Sequence, residues 1–107
     1  ADAARQLLRA GARSVVVSLG SRGLLAFHGD RGWRAGAVPG VTGNPTGAGD
    51  AAAAAIALGT AVGDPWPRTL ARAAALGAAA VLAPTAGEAD PRAYRAFLPT
   101  VHVEEYA

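Results

Sequence analysis

The 107-residue sequence predicts an α/β fold with one core, on three observations. A helical pattern near the first residues leads directly into a run of β-branched residues. Two short apolar runs flank a turn of glycine and aspartate. Two Asp-Pro pairs each precede a helical pattern. Helices that alternate with short buried strands are typical of sheets covered by helices, and 107 residues are too few for a two-domain enzyme with a cleft between its parts.

The first helix is predicted over residues 3–10, because Ala4, Leu7 and Leu8 recur at helical spacing. Gly11 is a plausible C-cap for it. A strand is expected from Ser14 to Leu19. This run is β-branched without alternation, as in a strand that is buried on both faces of a sheet.

The next segments predict a hairpin and a loop. Residues 24–28 and 33–38 are two short strands joined by a Gly-Asp-Arg-Gly turn at 29–32, which indicates antiparallel pairing. Residues 39–50 are rich in Gly, Pro, Asn and Thr and are predicted to form a loop.

The remaining sequence predicts three helices and a last strand. Residues 48–58 are almost all small and apolar, so their helix is expected to be buried over most of its surface. Asp64-Pro65 is interpreted as an N-cap followed by proline at the first helical position, opening a long helix that stops at Pro84. Asp90-Pro91 repeats this signal for a helix over 91–98, and residues 100–106 suit a strand at a sheet edge.

Composition narrows the classes of function. The chain has no cysteine, which removes disulfides, thiol nucleophiles and cysteine metal sites. Its ten basic residues are scattered arginines and the net charge is only +2, which argues against nucleic acid as a partner. The sequence shows neither a signal peptide nor a long apolar span, so we expect no membrane partner and a cytoplasmic location.

The most informative segment is N-P-T-G-A-G-D, residues 44–50, a glycine loop that enters an apolar helix. Unpaired N–H groups and the helix dipole at such a helix start stabilise a phosphate or a developing anion, and glycines let a ligand approach the backbone. The carboxylate of Asp50 is placed to accept a proton from an attacking hydroxyl. The plainer alternative stays open on spacing alone: the dipole favours an aspartate in any first turn, and glycines serve any tight turn.

This segment resembles the C-terminal signature of the PfkB-type carbohydrate kinases of the ribokinase-like superfamily. S-L-G-S-R-G, residues 18–23, is similar to the strand-turn with which that family meets its nucleotide. The order of strand, S-L-G-x-x-G, hairpin, G-A-G-D helix, alanine-rich helix and final strand covers essentially the whole chain. The resemblance therefore implies that residues 1–107 are the C-terminal part of a ribokinase-like three-layer α/β/α sandwich, with the N-terminal part absent.

The resemblance also implies a role for each matching position. Asp50 would deprotonate the sugar hydroxyl, and the N–H groups of Gly47, Ala48 and Gly49 would hold the charge on the transferred phosphoryl group. The cofactor is expected to be ATP. Its contacts would come from three places, the S-L-G-S-R-G turn, the G-A-G-D motif and the later alanine-rich helix: Ser18, Gly20, Ser21, Gly23, Gly49, Ala74 and Gly77. Many relatives have an asparagine on that helix where this chain has only alanine and glycine.

The implied reaction is phosphorylation of a sugar or sugar phosphate. The Asn44-Pro45-Thr46 variant resembles the 1-phosphofructokinase and tagatose-6-phosphate kinase branch, which favours a ketohexose phosphate such as fructose 1-phosphate or tagatose 6-phosphate. Members that bind a monovalent cation often have D-T-T there, so this departure leaves a potassium site doubtful. Magnesium is expected with ATP because it bridges the phosphates.

Other motifs are excluded or have structural interpretations. A P-loop needs a lysine, which the chain lacks, and neither glycine cluster completes G-x-G-x-x-G. His28 and His102 lie alone in strand-like segments, and Trp33 and Trp66 are expected to pack. Arg22 could reach a phosphate, although an exposed turn arginine is the commoner case.

Two alternatives to a kinase remain: a non-catalytic adenine-nucleotide-binding fragment and an inactive truncated product. In the family, the sugar pocket and the lid lie mainly in the N-terminal half. We therefore expect these 107 residues alone to have no catalytic activity. Any homodimer of the full-length protein is expected to form through that lid.

Overall fold

The computed structural model describes residues 2–41, 48–82 and 89–106. Four helices and four strands lie in these ranges. In chain order they are α1 (Asp2–Arg9), β1 (Ser14–Ser18), β2 (Leu24–His28), β3 (Arg31–Ala35), α2 (Ala48–Val62), α3 (Trp66–Leu82), α4 (Pro91–Phe97) and β4 (Val103–Tyr106). Two short 3-10 turns, Gly20–Arg22 and Leu98–Thr100, follow β1 and α4.

The strands form one antiparallel sheet in the order β1-β2-β3-β4. The register places Ala26 opposite Trp33, and Ala35 opposite Val103. Because residues directly opposite each other share a face, these four side chains lie on one side of the sheet. They pack there against Leu70 of α3.

Helices cover both faces of the sheet. Ala26 faces α3, so its neighbour Phe27 points to the opposite face, where it lies beside Leu8 of α1. On the α3 side, α2 packs mainly against α3. The α/β prediction is therefore confirmed, with helix, sheet and helix as successive layers.

Local signals placed several element ends correctly. The Gly11 N–H donates to the Leu8 carbonyl oxygen and the Ala12 N–H to that of Leu7, while Gly11 has a φ of +116°. This is a Schellman motif, as predicted for the end of α1. At α4, the Asp90 carboxylate accepts from the N–H groups of Arg92 and Ala93, which confirms the predicted N-cap.

Three predictions about elements were wrong. The helix over residues 48–62 is mostly exposed: Gly59 is its one buried residue among those described, and Leu58 is 64% exposed. Asp64 does not cap α3, since its carboxylate forms an ion pair of 2.8 Å with Arg72, eight residues further on. The second hairpin strand is Arg31–Ala35 and not 33–38, because Gly29 and Asp30 alone form the turn.

Other differences are smaller. The first strand ends at Ser18, one residue early, and its Val15, Val16 and Val17 are half-buried. The predicted helix stop at Pro84 lies outside the described residues. In the part of the chain that the structure describes, no helix has both the length and the apolar character needed to cross a bilayer.

Candidate nucleotide-binding cavity

A cavity of about 1090 Å³ lies between the β1–β3 end of the sheet and the pair α2 and α3. One wall is the 3-10 turn and the β-strand ends around it. The other is built from small side chains on the two helices. The lining residues include nearly all the described positions that the sequence assigned to the nucleotide: Ser18, Gly20, Gly23, Ala48, Gly49, Ala74 and Gly77.

The turn after β1 is held by its own backbone. The Leu19 N–H donates to the Gly23 carbonyl oxygen at 2.7 Å, and the Gly23 N–H donates to that of Gly20 at 3.2 Å. The Ser18 hydroxyl accepts from the Gly20 N–H at a long 3.5 Å. Ser21, which was also assigned to the nucleotide, lies within the same turn.

Gly23 is required where it stands. Its φ is +100°, a conformation that residues with a Cβ rarely adopt. A Cβ there would overlap the Ala35 carbonyl oxygen and lie 3.1 Å from the Ala37 nitrogen. The glycine therefore lets the turn cross closely over the end of β3 and form this rim of the cavity.

The helical wall is smooth and apolar. From α2 it takes Ala48, Gly49, Ala52, Ala53 and Ile56. From α3 it takes Ala73, Ala74, Gly77, Ala78 and Val81. A Cβ on Gly77 would meet the Ala48 carbonyl oxygen at 3.4 Å, so the middle of α3 passes close to the start of α2. Methyl groups facing a roomy cleft suit the flat face of a nucleobase.

The start of α2 adds polar character to this wall. The N–H groups in the first turn of a helix have no partner within the helix, and the dipole makes this end partly positive. Ala48 and Gly49 carry two of these groups and line the cavity. Gly47, the third member of the predicted anion site, lies outside the described residues, as does the rest of the motif from Asn44 to Thr46.

Asp50 lies in the same first turn and is exposed. It is not among the residues that line the cavity, whereas its neighbour Gly49 is. Successive helical residues point about 100° apart, so the carboxylate stands beside the cavity and faces solvent. The carboxylate and the first-turn N–H groups therefore lie at the same end of α2.

Sequence reasoning missed several lining residues. Ala52, Ile56 and Val81 follow Gly49 and Gly77 at intervals of three or four, so helical periodicity from the predicted positions would have found them. Val38 to Val41 and Arg34 come from the segment after the hairpin and from β3. The chain that leaves β3 brings Val38 to Val41 to the cavity, and the Arg34 guanidinium lies near it through its hydrogen bond to the turn. The motif spacing shows neither contact.

The residues set aside in the sequence have structural roles. Trp33 and Trp66 stack with ring centroids 6.1 Å apart, which confirms that they pack. His28 shares a 2.7 Å hydrogen bond with the Ser14 hydroxyl across β1 and β2. Within the described ranges, no group of three or more His, Cys, Asp or Glu side chains could hold a metal ion.

Comparison with known proteins identifies the class. The profile of the pfkB family carbohydrate kinases matches residues 1–93, and the chain belongs to that family. No match was found among curated protein sequences.

Solved structures show the same fold. A Staphylococcus aureus protein provisionally assigned as a phosphofructokinase is 26% identical with a TM-score of 0.86, over 98% of this chain and 34% of its own. Phosphofructokinase-2 from Escherichia coli, in complex with potassium, is 25% identical with a TM-score of 0.84, over 92% of this chain and 32% of its own. Ribokinase from Thermotoga maritima is 25% identical with a TM-score of 0.79, over 92% and 34%. The predicted ribokinase-like fold is thus confirmed, and the chain spans about a third of the length of these neighbours.

Proposed function

We propose that this chain is the C-terminal nucleotide-binding and catalytic-base part of a kinase that transfers the γ-phosphate of ATP to a hydroxyl of a sugar or sugar phosphate. One observation carries the proposal. Two sequence segments about 30 residues apart, the turn at 18–23 and the start of α2, line the same cavity, together with Ala74 and Gly77 of α3. Membership of the pfkB family supports the same assignment.

The roles follow from the position of each group. The adenine would lie against the methyl groups of α2 and α3, and the phosphates beside Ser18, Gly20 and Gly23. The N–H groups of Gly47, Ala48 and Gly49 would stabilise the charge on the transferred phosphoryl group. Asp50 would accept the proton of the attacking hydroxyl as its oxygen bonds to the γ-phosphorus and ADP leaves.

The cofactors are ATP and the magnesium that accompanies it. The cavity lining described contains no carboxylate, so magnesium would be held by the phosphates of ATP and not by a protein cage. When bound, it would neutralise charge on those phosphates. A monovalent cation is known for the E. coli neighbour crystallised with potassium, whereas the Asn44-Pro45-Thr46 sequence of this chain argues against one here.

The proposed acceptor is a ketohexose phosphate such as fructose 1-phosphate or tagatose 6-phosphate. This choice rests on the N-P-T-G-A-G-D sequence and on similarity to phosphofructokinases. The exposed side of Asp50 leaves space for such an acceptor, whose pocket we place in the part of the neighbours that this chain does not span.

Asp50→Asn tests the proposed mechanism. In the intact protein that carries this chain, we expect turnover to fall by about 10²- to 10⁴-fold, because a general base contributes that much. The affinity for ATP should change little, since Asp50 does not line the cavity. Kinase assays with each ketohexose phosphate and calorimetry with Mg-ATP measure the two effects.

Asp30→Asn is the matched control, because Asp30 is an exposed aspartate in the hairpin turn, outside this cavity. It should leave both turnover and affinity unchanged. If Asp50→Asn kept near full turnover, Asp50 would not be the base. If the unmodified protein bound ATP but transferred no phosphate to any sugar, the non-catalytic alternative would be correct.

A further inference from the structure

Two arginines lie at the turn end of the cavity. Arg22, in the turn, and Arg34, on β3, are both lining residues. The other lining residues described are glycines, a proline, apolar side chains and Ser18. The charge that the described lining contributes is therefore wholly positive.

Strand alternation places the Arg34 Cβ on the face opposite Trp33 and Ala35, and the guanidinium reaches the turn at the sheet end. Its Nη2 donates to the Arg22 carbonyl oxygen at 3.3 Å. Glu104 stands directly across on β4, yet no ion pair joins the two within the described residues. A guanidinium has five N–H donors, and one bond leaves the others able to bind a ligand.

Arg31, on the same strand, shows the contrast. Its Nε and Nη2 each donate to a Glu105 carboxylate oxygen at 2.9 Å, and its guanidinium lies 4.9 Å from the Trp33 ring centroid. Arg31 is thus bound in an ion pair with Glu105. Arg34, three residues later, has no carboxylate partner in the part of the chain described.

We infer that Arg34 is a binding residue for the phosphate chain of the nucleotide, acting beside Arg22; this rests on the proposed nucleotide site. Guanidinium groups bind phosphate oxygens in pairs of parallel hydrogen bonds, and they do so where backbone N–H groups already position the anion. The bond from Arg34 to the Arg22 carbonyl oxygen keeps the turn and both arginines at one edge of the cavity.

The test compares ligands that differ in phosphate content. In the intact protein, Arg34→Ala should weaken binding of ATP and ADP by about 10- to 100-fold, the usual loss for a charged hydrogen bond. The affinity of the same variant for adenosine, which lacks phosphate, should fall by less than about threefold. Arg34→Lys should weaken ATP binding by an intermediate amount, because lysine keeps the positive charge but cannot form the paired hydrogen bonds of a guanidinium. Calorimetry over a range of salt concentrations should also show a shallower salt dependence for Arg34→Ala.

Arg31→Ala is the control on the same strand and should leave all three affinities unchanged. Arg34→Gln, which keeps most of the side chain, serves if Arg34→Ala does not fold, as judged by circular dichroism. Unchanged ATP affinity in either Arg34 variant would overturn the inference while the proposed function stands. Equal losses for ATP and adenosine would also overturn it, since they would show only a displaced turn. If the unmodified protein did not bind ATP, the proposed function itself would fall, and the inference with it.

Discussion

The two ends of the space between the sheet and α3 differ in how they are filled. At one end, Trp66 stacks on Trp33 with ring planes 18° apart, and Leu70 is fully buried. At the other end, the same helix presents Ala74 and Gly77, and the space remains a cavity. The α3 side chains that face this space are thus large at Trp66 and Leu70 and small at Ala74 and Gly77.

This contrast shows where binding and stability reside in the molecule. Large buried side chains provide most of the apolar area that stabilises a fold. Small side chains bury little apolar area, and they leave space that a ligand can occupy. We therefore expect changes at the cavity end to act through backbone geometry, and changes at the aromatic end to act through packing.

The largest effect is expected from Gly23→Ala at the cavity rim. The new Cβ would overlap the Ala35 carbonyl oxygen, and the positive φ would strain the backbone. The atoms that the Cβ would meet belong to the backbone of Ala35 and Ala37 and cannot move aside as a flexible side chain could. The free energy of unfolding should therefore fall by at least about 4 kcal/mol. Urea denaturation followed by circular dichroism measures it.

Gly29→Ala separates the clash from the strain. Gly29 also has a positive φ, +60°, but a Cβ there would meet nothing within 4 Å. Its cost should be only about 1 to 2 kcal/mol. Similar losses for Gly23→Ala and Gly29→Ala would show that the close approach to β3 does not hold the rim.

A smaller effect is expected from Gly59→Ala, where α2 meets α3 near the aromatic end. A Cβ there would lie 2.8 Å from Thr69 Cγ2, and Thr69 is only 2% exposed, so it has little room to move. Overpacking costs about 1 to 3 kcal/mol, and the better helix propensity of alanine returns about 1 kcal/mol. The net loss in the free energy of unfolding should be up to about 2 kcal/mol.

Two further variants sharpen this result. In a Thr69→Ala background the cost of Gly59→Ala should shrink, giving a coupling energy above about 0.5 kcal/mol in a double-mutant cycle. Gly77→Ala should cost nothing, because its Cβ would make ordinary contacts at 3.4 and 3.7 Å, though it narrows the cavity. A loss for Gly77→Ala equal to that for Gly59→Ala would mean that both ends of α3 are packed alike.

The parts of the fold that sequence predicted are those set by near neighbours. The Gly11 Schellman motif and the Asp90 N-cap depend on residues within five positions, so the local sequence contains the whole interaction. Asp64 has the same local signal as Asp90, but Arg72 lies within reach two turns along α3 and binds its carboxylate. A competing partner decides such a case, and its position depends on the helix being formed.

Burial of α2 could not be predicted for a related reason. An alanine-rich helix is apolar all round, so its sequence does not say which faces another element covers. In the described structure only α3 lies against it, and Leu58 and Val62 remain exposed. The candidate site divides in the same way. Motif and resemblance named Ser18, Gly20 and Gly49, which line the cavity, whereas Arg34 comes near it through its hydrogen bond to the turn, which depends on the folded hairpin.

The smallest effect is expected at the exposed ion pair beside the aromatic end. The hydrogen bonds from Arg31 lower the pKa of the Glu105 carboxyl below its ordinary value. Since the folded-state pKa is the lower one, the pair stabilises the fold at pH values above the unfolded pKa of glutamate. That contribution is lost as the pH falls through the folded pKa.

Arg31→Gln should therefore raise the pKa of Glu105 toward its ordinary value, as measured by carbon NMR titration of the carboxyl group. Its effect on the free energy of unfolding should be small at neutral pH and absent in acid, because the two side chains are 63% and 49% exposed. Arg34→Gln should leave the Glu105 titration unchanged, since Arg34 bonds to the turn and not to β4. A Glu105 pKa insensitive to Arg31→Gln would show that Arg31 and Glu105 are not paired in solution, and the aromatic end would then be stabilised by apolar packing without this ion pair.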